Sequence, residues 1–377
     1  MHRLSLLLCL LTGTLPVLAQ PVQPQPPRYS APRFVRVTFE NDILQLRDRD
    51  ARDGNFTNGV RLDLMGNFWK RLPTRFLLLE FPRTENSRPD DFDDLYSFSI
   101  GQEMYTPGDI TLKTVDSLGR PYAGWLYASS GLTTVDVKRG LKLTSSLNVG
   151  VIGPLSGAAE TQATIHRWID SPHPEGWRYQ VRNALGVSYA VRFEARPLPQ
   201  LHRAFDVIGL LEGHAGTITN YLGGGFTLRI GQFNDYFQNA VGLYDQNAYV
   251  NEEQNNRLYS RVAERRDSLQ AAGRTPVDKT PVRKLSNRRF QAYLFMRPVA
   301  RIMLDNSFLQ GGWRFRGDNP YTLRSEDVTR FFVTVEYGGV IAIKRFQLTY
   351  TQSFRTKEFR FGEQQQWGRI SLLMGLK

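Results

Sequence analysis

Arg345-Phe346-Gln347-Leu348-Thr349-Tyr350 and Arg369-Ile370-Ser371-Leu372-Leu373-Met374-Gly375-Leu376 decide the fold. In the first stretch Phe346, Leu348 and Tyr350 alternate with Arg345, Gln347 and Thr349. In the second, Ile370, Leu372, Met374 and Leu376 alternate with Arg369, Ser371 and Leu373. Side chains of a strand point alternately to its two faces, so a period of two makes one face apolar and the other mostly polar. The same rhythm runs through 181–194, where Val187, Tyr189, Val191 and Phe193 alternate with Ser188, Ala190, Arg192 and Glu194. In 141–149 the polar set is Lys142, Thr144, Ser146 and Asn148. Twelve strands follow, near 33–41, 58–66, 95–104, 122–133, 140–150, 179–194, 203–213, 221–231, 289–304, 329–338, 341–353 and 367–376. An even number of long two-faced strands suits an all-β, antiparallel barrel closed across a membrane. Closure also removes the edges that so large a sheet would expose. A soluble β-sandwich or propeller is the other arrangement that alternation permits.

The N-terminus argues for export. His2 and Arg3 precede the largely apolar run Leu4–Leu11, and the segment ends Val17-Leu18-Ala19. A charged start, a short apolar stretch and a small-residue end describe a signal peptide, expected to be cut after Ala19. Residues 20–32 are rich in Pro and Gln and read as a disordered leader. The barrel is then expected over 33–377. Cys9 is the only cysteine and lies in the signal, so the mature chain has no thiol chemistry or disulfide. The chain carries 48 Lys+Arg against 36 Asp+Glu, a net +12. Such basicity points to an anionic partner. For an exported chain that is a phosphorylated surface lipid rather than nucleic acid. Mean hydropathy is only −0.38, as expected when alternate residues are apolar.

Threading the strands up and down from a periplasmic N-terminus brings the connections 42–57, 105–121, 151–178, 214–220, 305–328 and 354–366 to one outer end. The opposite end has tight turns, such as Gly338-Gly339, and two long connections, 67–94 and 232–288. The second reads as a periplasmic insertion with an exposed helix over 251–271, unrelated to the chemistry. At the outer end Phe39-Glu40-Asn41-Asp42 meets Asp53-Gly54-Asn55-Phe56-Thr57-Asn58-Gly59. These offer oxygen donors of the kind Ca²⁺ prefers, although Asn-Asp and Asn-Gly are also ordinary turn formers. Arg120 could hold a phosphate or an oxyanion. Tyr122, Trp125 and Tyr127 suit an interfacial aromatic girdle. Gln162, Ile165, His166 and Ile169 share one face of a short helix over 158–169 in an outer loop. His166 could serve there as a general base or be a packed histidine. The chain has no Gly-x-Ser-x-Gly elbow, no His-Glu-x-x-His and no phosphate-binding Gly-Lys-Ser/Thr loop.

Taken in order, these motifs resemble the outer-membrane lipid A 3'-O-deacylase family. Those that carry the resemblance are Phe39-Glu40-Asn41-Asp42, Phe56-Thr57-Asn58-Gly59, Tyr105-Thr106-Pro107, Arg120-Pro121-Tyr122-Ala123-Gly124-Trp125 and Gly150-Val151-Ile152-Gly153-Pro154. Gln162 with His166, Gly176-Trp177 with Gln180, Leu304-Asp305-Asn306 and Arg355-Thr356-Lys357-Glu358-Phe359 complete the series. The resemblance implies a twelve-stranded barrel with a helix over the site, and a Ca²⁺-dependent esterase acting on the lipid A of lipopolysaccharide at the outer face of the outer membrane. It makes His166 the general base that activates water, Asn41, Asp42 and Thr57 the rim around the metal and carbonyl, Arg120 a supporting cation and Gln162 a companion of His166. Basic residues of the outer loops, among them Arg47, Arg49, Arg52, Arg167, Arg314, Arg316, Arg355 and Lys357, would hold lipid A phosphates. Three features depart from the family. Ala184, expected to face the lumen, stands where a carboxylate belongs. The chain ends in Lys377 rather than an aromatic residue. The 232–288 insertion is long. A non-catalytic barrel, porin-like or lipopolysaccharide-binding, is the alternative.

Overall fold

In the computed structural model every strand pairs antiparallel with its chain neighbours, and β1 closes on β12. The structure describes residues 33–45, 56–85, 87, 91–197, 203–243, 287–312 and 318–376, all within the unit Ala31–Lys377. The expected signal, leader and 251–271 helix lie outside the described residues. The strands are β1 (Phe34–Asn41), β2 (Asn58–Met65), β3 (Phe92–Tyr105), β4 (Ala123–Asp136), β5 (Leu141–Ile152), β6 (Ala184–Ala195), β7 (Phe205–Gly216), β8 (Thr219–Gln232), β9 (Phe290–Asn306), β10 (Phe331–Ile343), β11 (Phe346–Arg355) and β12 (Gln365–Gly375). The helix α1 (Ala158–Trp168) follows β5. No described helix is long and apolar enough to cross a membrane.

Two boundaries differ instructively from expectation. Gly338-Gly339 is not a turn: β10 runs through it, and the reversal lies at Lys344-Arg345, where Lys344 has φ 52°. Gly338 serves close approach instead, since a Cβ there would stand 1.9 Å from the Tyr350 carbonyl oxygen. β6 starts at Ala184 rather than near 179, because Gly176–Tyr179 winds into a 3-10 turn.

The period of two divides the barrel into two chemistries. Val37, Phe39, Val60, Leu62, Ile100, Leu126, Ile370 and Leu372 are exposed on the outer wall, the apolar belt a membrane barrel needs. The lumen is ionic. Asp63 bonds Arg61 at 2.7 Å and Arg36 at 3.3 Å. Asp206 bonds Arg196 at 2.9 Å and Arg229 at 2.7 Å. Glu212 bonds Arg192 at 2.8 Å and Arg301 at 2.7 Å. Glu336 bonds Arg297 at 3.3 Å and Arg369 at 3.2 Å. Each of these four acids lies between two arginines, and two of those arginines are shared: Arg369 also reaches Glu40 at 2.8 Å and Arg196 also reaches Asp235 at 3.6 Å. A cavity of about 470 Å³ remains above this layer, reaching from Arg297 and Arg301 up to Phe56 and Tyr105.

We call the end bearing α1 the upper rim. At the lower rim the start of the 232–288 connection turns inward. Phe237 and Leu243 are buried among Val135, Ile208, Met65, Leu95, Ala342 and Leu373, side chains drawn from six strands. Tyr236 donates to Glu194 at 2.7 Å, and the Ala240 N–H to Asp93 at 2.7 Å. Asn234 clamps the far end of the connection, accepting from the Arg288 N–H at 2.6 Å. Residues 233–243 therefore stop the lower mouth. The expected outcome in planar bilayers is no stepwise conductance; steady porin-sized steps would mean that this segment leaves the mouth.

Candidate active site

One row of residues, in register across five strands, organises the upper rim. Gly368, Asn41, Asn58, Met104 and Gly124 are consecutive partners on β12, β1, β2, β3 and β4. Phe39, Val60, Ile100, Leu126 and Ile370 show which face they share. Each lies an even number of residues below a member of the row and is exposed on the outer wall. The row is therefore the upward continuation of the apolar belt, on the outside of the barrel.

Two loops close over it from opposite sides. Asn41 caps the 3-10 turn Asp42–Leu44, its Oδ1 accepting from the Ile43 N–H at 2.8 Å. That turn leans on β12, where a Cβ on Gly368 would fall 2.3 Å from the Leu44 carbonyl oxygen. On the other side a Cβ on Gly124 would fall 2.1 Å from Ser156 Oγ and 2.5 Å from the Ala158 Cβ. Gln102 Nε2 holds the Ser156 carbonyl at 2.7 Å. Glycine at both ends thus lets backbone and helix seat directly on the wall.

Helix α1 buries Ala158, Gln162 and His166, successive residues four apart on one face. Ala158 packs with Met104, Tyr122 and Trp177. The Trp177 ring packs at a tilt against Tyr122, centroids 5.0 Å apart, and donates Nε1–H to Gln162 Oε1 at 2.7 Å. An indole nitrogen only donates, so the Gln162 amide is held with its oxygen toward Trp177, and the buried Nε2 has no hydrogen-bond partner among the described residues. His166 Nδ1 lies 2.7 Å from the Pro172 carbonyl oxygen. A carbonyl only accepts, so Nδ1 carries the proton and Nε2 is the basic nitrogen of the neutral ring.

The expected site residues separate into two groups. Gln162 and His166 share a helix face one strand away from Asn58. Asn41 ends β1 and Asp42 opens the 3-10 turn that follows, with Asp42 only 2 % exposed. Thr57 is joined to Thr106 by a 2.6 Å hydroxyl bond beside the row. Arg120 stands apart, on the lumen side. Its side chain is fully buried, 3.3 Å from Glu358 and 4.5 Å over the Tyr105 ring. Glu358 also bonds Arg355 at 2.7 Å and Gln365 at 2.6 Å. Burial pulls the Arg120 guanidinium below its ordinary value, with Glu358 opposing. Burial would raise the Glu358 carboxyl, but Arg355 and Arg120 outweigh it and hold it below the usual carboxylate range. This trio ties the loop before β4 to the loop before β12. Ala184 also faces the lumen, as its alternation implies, packed against the cluster of Phe56, Trp125, Ile218 and Phe308.

Asn58 belongs to the Asp53–Gly59 stretch of oxygen donors. It is 3 % exposed, and its Oδ1 is buried with no hydrogen-bond partner among the described residues. The signal that finds it is its pairing opposite Asn41. Asn58 pairs with Asn41, the residue before Asp42; a carboxylate and amide oxygens are the donor types that could hold a hard cation such as Ca²⁺. No group of three His, Cys, Asp or Glu that could hold a softer metal occurs among the described residues. Asn41 Oδ1 and Thr57 Oγ1 already have protein partners.

Gly124→Val tests the seating of α1. Overpacking against Ser156 and Ala158 is expected to cost about 1–3 kcal/mol. Cleavage of the 153–183 loop by added protease should then be faster while the barrel keeps its folded electrophoretic mobility.

A family model described as "Outer membrane protein LpxR" matches residues 4–376. Among solved structures the chain is similar to LpxR from Salmonella typhimurium, with 15% identity and a TM-score of 0.63, over 91% of this chain and 100% of that one. A KdgM porin aligns over 91% of this chain and 99% of its own, at 6% identity and a TM-score of 0.33. No match was found among curated proteins by sequence.

Proposed function

We propose that this chain, which belongs to the LpxR family of outer-membrane proteins, is an esterase that removes an acyl chain from the lipid A of lipopolysaccharide. The observation that carries the reading is the position of Gln162 and His166: they stand on the outer wall directly above the lipid-facing belt. A lipid already in the leaflet reaches such a site by moving sideways along the barrel, with its acyl chains still beside Val60 and Leu126. The upper rim is then the cell's outer face.

His166 supplies the base. Its Nδ1–H is committed to the Pro172 carbonyl, so Nε2 takes a proton from water. The water oxygen bonds to the ester carbonyl carbon. The carbon–oxygen bond to the sugar breaks, and the sugar oxygen receives the proton back from His166. A free fatty acid and a sugar hydroxyl are the products. Gln162 Nε2, one helical turn away, donates to the carbonyl oxygen as charge builds there, and Trp177 keeps the amide from turning over. Asp42 and Asn58, with Asn41 and Thr57 beside them, would hold Ca²⁺, which when bound polarises the carbonyl. Arg120 acts on the site through the loops it ties to Glu358. Arg167, in the last turn of α1, would hold a lipid A phosphate.

The porin-like alternative is disfavoured by the stopped lower mouth. Ala184 does not weigh against catalysis here, because it stands on the other side of the wall from His166. The test is mass spectrometry of lipid A from cells producing the protein, incubated with Ca²⁺ or with a chelator. Loss of one ester-linked acyl chain only with Ca²⁺ is expected. Unaltered lipid A under both conditions, from folded and exported protein, would replace this reading with a lipopolysaccharide-binding barrel.

A further inference from the structure

The connection from β2 to β3 is not a solvent loop. Residues 67–79, Asn67-Phe68-Trp69-Lys70-Arg71-Leu72-Pro73-Thr74-Arg75-Phe76-Leu77-Leu78-Leu79, fold back up the outside of the barrel. Tyr96 and Phe98 share the outward face of exposed Ile100 on β3, and Ser130 and Leu132 share that of Leu126 on β4. The segment covers both pairs and reaches β5 and β6. Leu78 is buried with Tyr96 and Leu132, and Trp69 stacks on Phe98 at 5.1 Å. Thr74 bonds Ser130 at 2.7 Å, the Leu79 N–H bonds Ser145 Oγ at 2.9 Å, and Tyr189 donates to the Leu77 carbonyl at 2.6 Å.

Three features suit this strap to a bilayer rather than to water. Its backbone is internally bonded: Trp69, Leu72, Arg75 and Leu78 each donate to the carbonyl three residues back, at 3.1–3.2 Å. Irregular backbone against lipid is tolerated only when so satisfied. Its outer surface is apolar and bare, with Phe76 73 % and Leu77 57 % exposed and Phe68 and Leu79 also open. That surface continues the belt of the wall beneath it. Finally, it carries three cations, Lys70, Arg71 and Arg75, and no acid. Arg75 lies 4.4 Å over the Phe76 ring and Arg71 5.7 Å over Phe68, so charges flank the bare rings. Aromatic rings at the headgroup level beside snorkelling cations are an interfacial arrangement.

We propose that residues 67–79 form an interfacial anchor that binds anionic phospholipid in the leaflet at the lower rim. Phe76 and Leu77 insert at the acyl boundary, and Lys70, Arg71 and Arg75 engage headgroup phosphates. The anchor is independent of the catalytic reading. It also explains why hydroxyls of Ser130 and Ser145 occur on the lipid-facing wall: the strap supplies their partners.

The test uses the full chain with Cys9→Ser and Phe76→Cys, labelled with an environment-sensitive fluorophore and folded into vesicles. Brominated phosphatidylglycerol and brominated phosphatidylcholine serve as quenchers from the lipid, and iodide as a quencher from water. Strong quenching by both lipids and little by iodide is expected. Phosphatidylglycerol should be enriched at the label by about fivefold for each engaged cation, from about 1 kcal/mol per surface charge. In the same chain carrying Lys70→Gln, Arg71→Gln and Arg75→Gln the enrichment should vanish while lipid quenching remains. A control label at Val37 reports the belt itself. Iodide quenching at position 76 with a lipid-quenched control would overturn the anchor. Equal quenching by the two lipids in the parent would overturn its preference for anionic headgroups.

Discussion

A backbone that crosses lipid has no water to bond, so every N–H and C=O in the crossing must find a partner within the protein. Here that demand is met by one ring of antiparallel ladders, β1 back to β12. The ring forces a period of two on every strand and so sorts each residue outward or inward. The outward set is the apolar belt and, at its top, the row of Asn41, Asn58 and Met104. The candidate site is therefore a change of chemistry along the lipid-facing wall, not a pocket in the lumen. Steric room decides what lies over that wall: Gly124 and Gly368, lacking side chains, admit α1 and the Asp42–Leu44 turn.

The inward set meets the opposite demand. Charges removed from bulk water are stable only when paired with good geometry. Arginine, with its planar fork, suits that role. Setting each of Asp63, Asp206, Glu212 and Glu336 between two arginines pairs the acids fully, and Glu40 and Asp235 share two of the same arginines. Many of the chain's arginines are thus structural, held inside the barrel by these acids. Basicity alone is a weak guide to an anionic ligand in such a fold. Arg120 belongs to the same economy: it closes the upper end of the lumen through Glu358.

The strand count, the antiparallel closure, the helix over 158–169 and the clustering of loops at one end were all legible in the sequence, because periodicity and turn composition act locally. Gly338-Gly339 misled because glycine marks close approach as often as a turn, and only the pairing of Ile343 with Phe346 distinguishes the two. The side of the wall on which each site residue stands was hidden for Arg120, since a loop residue has no strand parity. It was available for Asn58 from parity with Val60, but its weight comes from lying opposite Asn41, which requires the register. The inward turn of 233–243 and the outward strap of 67–79 depend on contacts with strands far along the chain, and no local pattern announces them.

The central claim is that His166, fixed by Pro172 on the outer wall, is the base for hydrolysis of a membrane lipid ester. The most direct measurement is the lipid A mass spectrum of cells producing His166→Ala beside the parent, with both proteins shown to be folded barrels by their heat-modifiable mobility. The account predicts that the parent's lipid A loses one acyl chain and that the variant's lipid A stays intact. Equal deacylation by parent and variant would contradict it.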